Sequence, residues 1–313
     1  MRRITSLKYY YALKPLIPRS FQIYLRRRLI QRQLKIYKDV WPIYEGAAKP
    51  PEGWKGWPDG KKFALVLTHD VDTARGHDRC LELARLEKRL GFVSSFNFVP
   101  LRYTVSPDIR TTLAEWGFEV GVHGLYHDGK YYKSREKFQE RAIKINQFLK
   151  EWNCVGYRAP AMCHKLDWFH ELNIEYDAST FDTDPFEPNS EGVGTIFPYL
   201  VNCNEAVNAY VELPYTLPQD FTLFVLMQHK TIDIWKMKLE WLVEHGGIVL
   251  MNTHPDYMNF SRNKCQKEEY PVQYYEELLT HIKENYAGQY WHALPRDLAR
   301  FWRNEYPACS MKR

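Results

Sequence analysis

The chain has 313 residues, 45% of them apolar, and its 43 Lys and Arg against 38 Asp and Glu give a formal charge of +5. That composition excludes a disordered or fibrous polymer and suits one α/β-barrel-sized domain or two smaller ones. The charge is uneven: residues 1–40 hold eleven Lys or Arg and one acid, Asp39, so an arm of +10 precedes a body of −5.

The arm opens with MRRITSLKYYYALKPLIP, which is basic but lacks the apolar centre of a secretory signal. After Pro15 and Pro18, Arg19 and Ser20 make a helix start for FQIYLRRRLIQRQLKIYKDV, whose apolar residues recur at roughly helical spacing. An arm this basic fits an anionic membrane surface or a polyanionic substrate. The plainer alternative is a helix whose apolar face packs on the body. No recognised nucleic-acid motif accompanies the charge, which argues against nucleic acid. Residues 41–62 are rich in Pro, Gly and Trp and read as an irregular connector that packs on the body.

From Lys62 onward short apolar runs alternate with longer amphipathic ones. Strands are expected at 62–68, 93–99, 118–123, 155–159, 174–179, 209–213 and 247–252. Helices are expected at 77–91, 135–152, 230–246 and 294–305. Seven strands alternating with helices imply a parallel sheet, either a barrel or an open doubly wound sheet. No glycine-rich phosphate loop follows a strand, which disfavours a dinucleotide site. The expected organisation is an arm and connector (1–61), a catalytic body (62–303) and a tail (304–313). FALVL and GIVLM are too short to span a membrane. Cysteines at 80, 154, 163, 203, 265 and 309 form no CxxC pair, so neither a zinc ribbon nor a disulfide framework is expected. A soluble cytoplasmic protein, with the inner membrane surface as a candidate docking place, is the expectation.

The polar residues carry the functional signal, because active sites of parallel α/β folds lie beyond the carboxyl ends of the strands. THDVD, HGLYH, YRAP and NTHPD each follow an apolar run. His123 and His127 are four apart, so one helical turn would put both imidazoles on one side, as two nitrogens on one metal require. Surface histidines with no ligand are the plainer alternative. Asp70 and Asp72 lie at i and i+2; on an extended chain both point into the same pocket, one free to bind metal and the other to act as base. An Asp-rich turn would read the same way. Arg158 could orient a carboxylate and lower its pKa, or form a rim ion pair. His254 could protonate a leaving amine, or be structural. Glu212 and Pro214 are weak pocket candidates. Asp182 and Asp184, in a Pro-rich loop, are expected to be solvated.

These four motifs, in this order, resemble the polysaccharide deacetylase (NodB-homology) superfamily, carbohydrate esterase family four, over Lys62 to Trp302. The resemblance implies a distorted (β/α)7 barrel and a metal-dependent hydrolase that removes an N-acetyl group from a sugar of a cell-surface glycan or its precursor. It implies Asp70 as base, Asp72, His123 and His127 as metal ligands, Arg158 as support for the base and His254 as catalytic acid. Zinc is the default among divalent metals, with cobalt, nickel, iron and manganese as alternatives. Val71 separates aspartates that most members have adjacent. This D-x-D form resembles a subgroup of peptidoglycan deacetylases and ureide or cyclic-imide hydrolases, so hydrolysis of a small non-sugar amide is a rival reading. A non-catalytic glycan- or metal-binding module on the same fold is another. His69 stands where Phe is usual, Gly124 where Ser or Thr is usual, and Ala161 and Met162 replace an aromatic after Arg-x-Pro. YDAS (176–179) resembles the subgroup's fifth-strand pattern.

Overall fold

The computed structural model describes residues 18–128, 134–188, 190–201, 209–261 and 263–306. The first part of the basic arm, Cys203, Cys309 and most of the tail lie outside these residues. Cys80, Cys154, Cys163 and Cys265 are free thiols.

The described chain opens with α1 (Arg19–Ile36), whose inner side buries Gln22, Ile23 and Ile30. The connector buries Trp41 and Trp57, and the Trp57 indole N–H donates to Gly246 O at 2.8 Å. Next comes β1 (Phe63–Val71), buried at every position. Such a strand is apolar on both faces because one looks into the barrel interior and the other is covered by helices. Thr68, His69 and Asp70 make its far end polar, and α2 (Ala74–Leu90) follows almost at once. Gly91 ends α2 in the left-handed region, φ 88°, its N–H satisfying Glu87 O and Lys88 O. The chain then runs β2 (Ser95–Phe98), α3 (Pro107–Glu115) and β3 (Glu119–Val122). Ser106 caps α3 by accepting from Ile109 N, with Pro107 in the first turn. There follow α4 (Arg135–Glu151), β4 (Gly156–Tyr157), α5 (Leu166–Phe169) and β5 (Tyr176–Asp177). Then come β6 (Tyr199–Val201), β7 (Tyr210–Glu212), a π-helical turn (Phe221–Leu226), α6 (Asp233–His245) and β8 (Ile248–Thr253). The short pair β9 (Met258–Asn259) and β10 (Tyr270–Pro271), α7 (Gln273–Asn285), β11 (Tyr290–His292) and α8 (Pro295–Glu305) complete it.

The sheet order is β11-β1-β2-β3-β4-β5-β7-β6, with β8 on the other edge of β1. Every pair in it is parallel except β6 with β7. Loop backbone brings β8 round to the far end: Ile248 N donates to Ile196 O at 2.8 Å, and Thr216 N to Leu250 O at 3.0 Å. The result is an α/β barrel closed partly by irregular chain, the distorted form expected. All seven expected strands are present, several shortened to two or three residues. Beyond the expected set stand α3, α5, α7, β6, β9, β10 and β11. Among the described residues no helix is long and apolar enough to cross a membrane.

The sheet admits side chains unevenly. Gly156 in β4 faces Tyr176 in β5, and a Cβ there would sit 2.1 Å from the Tyr176 ring and hydroxyl. That ring is fixed by burial and by its hydroxyl donating to Glu119 at 2.8 Å. Gly156→Ala is therefore expected to cost about 1–3 kcal/mol of stability, the usual penalty of overpacking. Urea unfolding measures it; an unchanged midpoint would show that Tyr176 moves freely.

Candidate metal centre and catalytic groups

β1 delivers both aspartates. It stays extended through Val71, so Asp70 and Asp72 face the same pocket while His69 between strands points the other way. His69 binds Thr253 Oγ1 (2.7 Å) and Glu87 (2.9 Å), and Glu87 also accepts from Ser94 (2.7 Å) and from the Tyr275 hydroxyl. The replacement of Phe by His at 69 is thus matched by a buried polar network, as burial of an imidazole requires.

Asp70 is almost fully enclosed. Its Oδ1 accepts from Asn97 Nδ2 at 3.0 Å and Arg158 Nη1 at 3.2 Å, and its Oδ2 from Asn252 Nδ2 at 2.8 Å. Burial alone would raise its pKa, but Arg158, then His123 and His254, outweigh it and bring Asp70 down to about 2. Arg158 is fully buried, not on the rim. It also donates to Thr68 Oγ1 (2.8 Å), Asn252 Oδ1 (2.6 Å) and Ala178 O (2.7 Å).

Asp72 is different. Its Oδ1 lies 3.0 Å from His127 Nε2 and 3.4 Å from His123 Nε2, yet it is buried without a hydrogen-bond partner. His123 Nδ1 lies 3.0 Å from Arg158 O. A carbonyl only accepts, so Nδ1 is the donor to Arg158 O, and Nε2 is the nitrogen turned toward Asp72 and available to a metal. Asp72, His123 and His127 offer ligand atoms within 4.8 Å of one another. Two tetrahedral ligands at ordinary zinc distances lie roughly 3.3 Å apart, so the donor set fits a divalent metal. Burial opposes the Asp72 charge; His127 and His123 nevertheless hold its pKa well below the ordinary carboxylate value.

The His pair does not meet on a helical turn. Gly124 (φ 62°) and His127 (φ 53°) are left-handed, and the loop between them brings the two rings to 5.2 Å. The expectation of a helix is corrected here. Gly124 is suited to that conformation, which a Ser or Thr would adopt at a cost.

His254 follows β8. Its Nδ1 lies 2.7 Å from Asp220 Oδ1, and its backbone N–H donates to Asp220 Oδ2 at 2.8 Å. The Tyr270 hydroxyl donates to the same oxygen at 3.0 Å. Burial would lower the imidazole's pKa, but Asp220, then Asp72 and Asp70, carry it to about 10.

These side chains converge beyond the carboxyl ends of the barrel strands. No family model and no curated protein matches the sequence. Solved structures do. A candidate polysaccharide deacetylase of Mycobacterium smegmatis superposes at TM-score 0.63 over 84% of this chain and 98% of its own, with 19% identity. A candidate polysaccharide deacetylase of Pseudomonas aeruginosa PAO1 gives 0.62 over 83% and 96%, with 16% identity. Puue allantoinase gives 0.63 over 83% and 95%, with 15% identity. The chain has the polysaccharide deacetylase fold.

On that fold, the six expected site residues come together: Asp70, Asp72, His123, His127, Arg158 and His254. Glu212 does not join them. It lies fully buried opposite Asp177, accepting from Thr180 N (3.0 Å) and Oγ1 (2.6 Å). Burial and then Asp177 raise its pKa well above the ordinary value. Asp182 and Asp184 are buried, which corrects their expected solvation. Asp182 pairs with the enclosed Lys238 at 2.5 Å, and Asp184 accepts from Tyr215 at 2.7 Å.

Four supporting residues had no clear mark in the sequence. Asn97 and Asn252 are single amides on strands, and Asp220 precedes an apolar run. Asp256 stands in NTHPD, where only the His drew notice. Its carboxylate accepts from Asp72 N (2.9 Å) and from the Thr73 hydroxyl, fixing the end of β1.

Asp220 governs His254. With a folded pKa near 10 against about 6.5 unfolded, His254 adds stability that is complete below pH 6.5 and lost as pH rises toward 10. Asp220→Asn should drop the His254 pKa by more than a unit and flatten that decline. An NMR titration of the imidazole checks it; an unmoved pKa would remove Asp220 from this role.

Proposed function

We propose that this protein is a metal-dependent hydrolase of the polysaccharide deacetylase superfamily that removes an N-acetyl group from a sugar of a cell-surface glycan or its precursor. The observation that carries the reading is the buried, partnerless Asp72 Oδ1 between two imidazole nitrogens, beside a second aspartate bound by three donors. The catalytic body is assigned to residues 62–303, with 1–61 and 304–313 flanking it.

The two aspartates divide the work by their surroundings. Asp72 has an oxygen to give to a metal. Asp70 has its oxygens tied to Asn97, Arg158 and Asn252, which aim it and keep it ionised. An acceptor with a pKa of about 2 is a weak base and matches only a water made acidic. Asp72, His123 and His127 would hold a divalent metal, zinc by default, which would supply that acidity and polarise the amide carbonyl. Asp70 then takes the proton of the attacking water. His254, charged and oriented by Asp220, donates a proton to the departing amine, and acetate leaves.

Hydrolysis of a small ureide or cyclic imide is the second reading, favoured by Val71 between the aspartates and by the fold likeness to Puue allantoinase. Acetate release from a panel of N-acetylated glycans, beside turnover of allantoin, separates the two. Asp70→Asn should keep bound metal while turnover falls about a hundred- to ten-thousandfold. His123→Ala should lose the metal itself. Full activity in Asp70→Asn would overturn the base assignment.

A further inference from the structure

The N-terminal helix is apolar on two sides, and the barrel covers one. Ile23 and Ile30 are buried against the body. On the outer side Phe21 (50% exposed), Leu25 (37%), Leu29 (53%) and Ile36 (65%) face solvent. The first three recur every four residues, and together the four make a stripe about 22 Å long. Arg28, Arg32 and Lys35 are exposed alongside, and α1 contains no acidic residue.

A helix that packed only on the barrel would have one apolar face and a polar outer face. This outer face instead joins bulky apolar side chains to cations, the pairing that lets a helix lie in the headgroup layer of an anionic bilayer. A protein partner would have to be acidic and apolar at once, whereas an anionic lipid surface offers both by its nature. Four further Lys or Arg and three consecutive tyrosines precede Pro15 in the sequence and add to the same character.

We propose that the outer face of α1 docks this protein on an anionic lipid surface. The inner face of the helix gives the docking a purpose. Arg26 and Arg19 lie over the Phe221 ring, at 5.2 and 6.0 Å from its centroid. The Phe221 ring packs at a tilt against Tyr257 (4.7 Å between centroids), whose ring lies 5.3 Å from that of His254. The helix thus meets lipid on one side and on the other touches the ring of Phe221, which leads through Tyr257 to His254, so the candidate site lies on the same side of the barrel as the docked helix. A glycan tethered to a lipid is the substrate class this arrangement serves; that clause rests on the function proposed above, and the docking does not.

Flotation of the full chain with vesicles tests the docking. Vesicles of phosphatidylcholine with phosphatidylglycerol should carry on the order of ten-fold more protein than phosphatidylcholine alone, and high salt should lower the fraction. Phe21→Ser with Leu25→Ser and Leu29→Ser, and separately Arg28→Glu with Arg32→Glu and Lys35→Glu, should each abolish flotation. Both variants change exposed side chains, so zinc content and thermal midpoint should stay at wild-type values. Equal flotation with the two vesicle types overturns the proposal without use of any variant. Wild-type flotation by the charge-reversed protein also overturns it, as does a wild-type dimer in lipid-free buffer that the serine variant converts to monomer. Loss of zinc in the wild type with flotation intact would instead strike only the proposed function.

Discussion

The buried guanidinium of Arg158 holds the candidate site together. Its side chain ties the ends of three strands, through Thr68 and Asp70 of β1, Asn252 of β8 and the carbonyl of Ala178 just past β5. Its own carbonyl fixes the tautomer of His123. One residue therefore aims the carboxylate proposed as base and the imidazole proposed as ligand. A cation without access to water must be repaid by hydrogen bonds and a countercharge, and here the repayment is the geometry of the site. Lysine, with one compact ammonium, could not span these acceptors.

Around that centre the barrel adds supports that keep two nearby aspartates in different states of use. Asn97 and Asn252 occupy Asp70, while Asp256 holds only the backbone of Asp72 and leaves its side chain free toward the histidines. Glycines leave space for these supports, Gly121 in β3 and Gly76 in the first turn of α2. A Cβ on Gly121 would lie 2.2 Å from Asn97 Oδ1, and one on Gly76 would lie 2.1 Å from Asp256 Oδ2. Further out, Ser179 accepts from Ala159 N and donates to Asp177, fixing the backbone next to Arg158. The YDAS pattern acts at that distance from the chemistry.

Much of this was legible in the sequence because strand ends concentrate polar residues after apolar runs, a pattern that β1, β3, β4 and β8 all display. What escaped did so for physical reasons. The residues YWH of β11 are too few for a periodic signal, and β6 is equally short. The helix α7 was readable, since Tyr275, Leu278, Leu279 and Ile282 have helical spacing and are buried. The spacing of His123 and His127 suggested a helix, but two left-handed residues achieve the same convergence by a loop. Asp220 could not be singled out, because it reaches His254 across 34 residues of chain from the end of a π-helical turn. The solvated loop expected around Asp182 and Asp184 is buried because Lys238 and Tyr215 reach them from other elements.

The central claim is that Asp72 binds metal while Asp70 is kept from it. The most direct test is a crystal structure of the zinc-loaded protein with the ion located by anomalous scattering. The account predicts zinc at about 2.0–2.2 Å from an Asp72 oxygen and from Nε2 of both His123 and His127. Asp70 should remain bound to Asn97, Arg158 and Asn252. Zinc coordinated by Asp70, or by Nδ1 of His123, would contradict it.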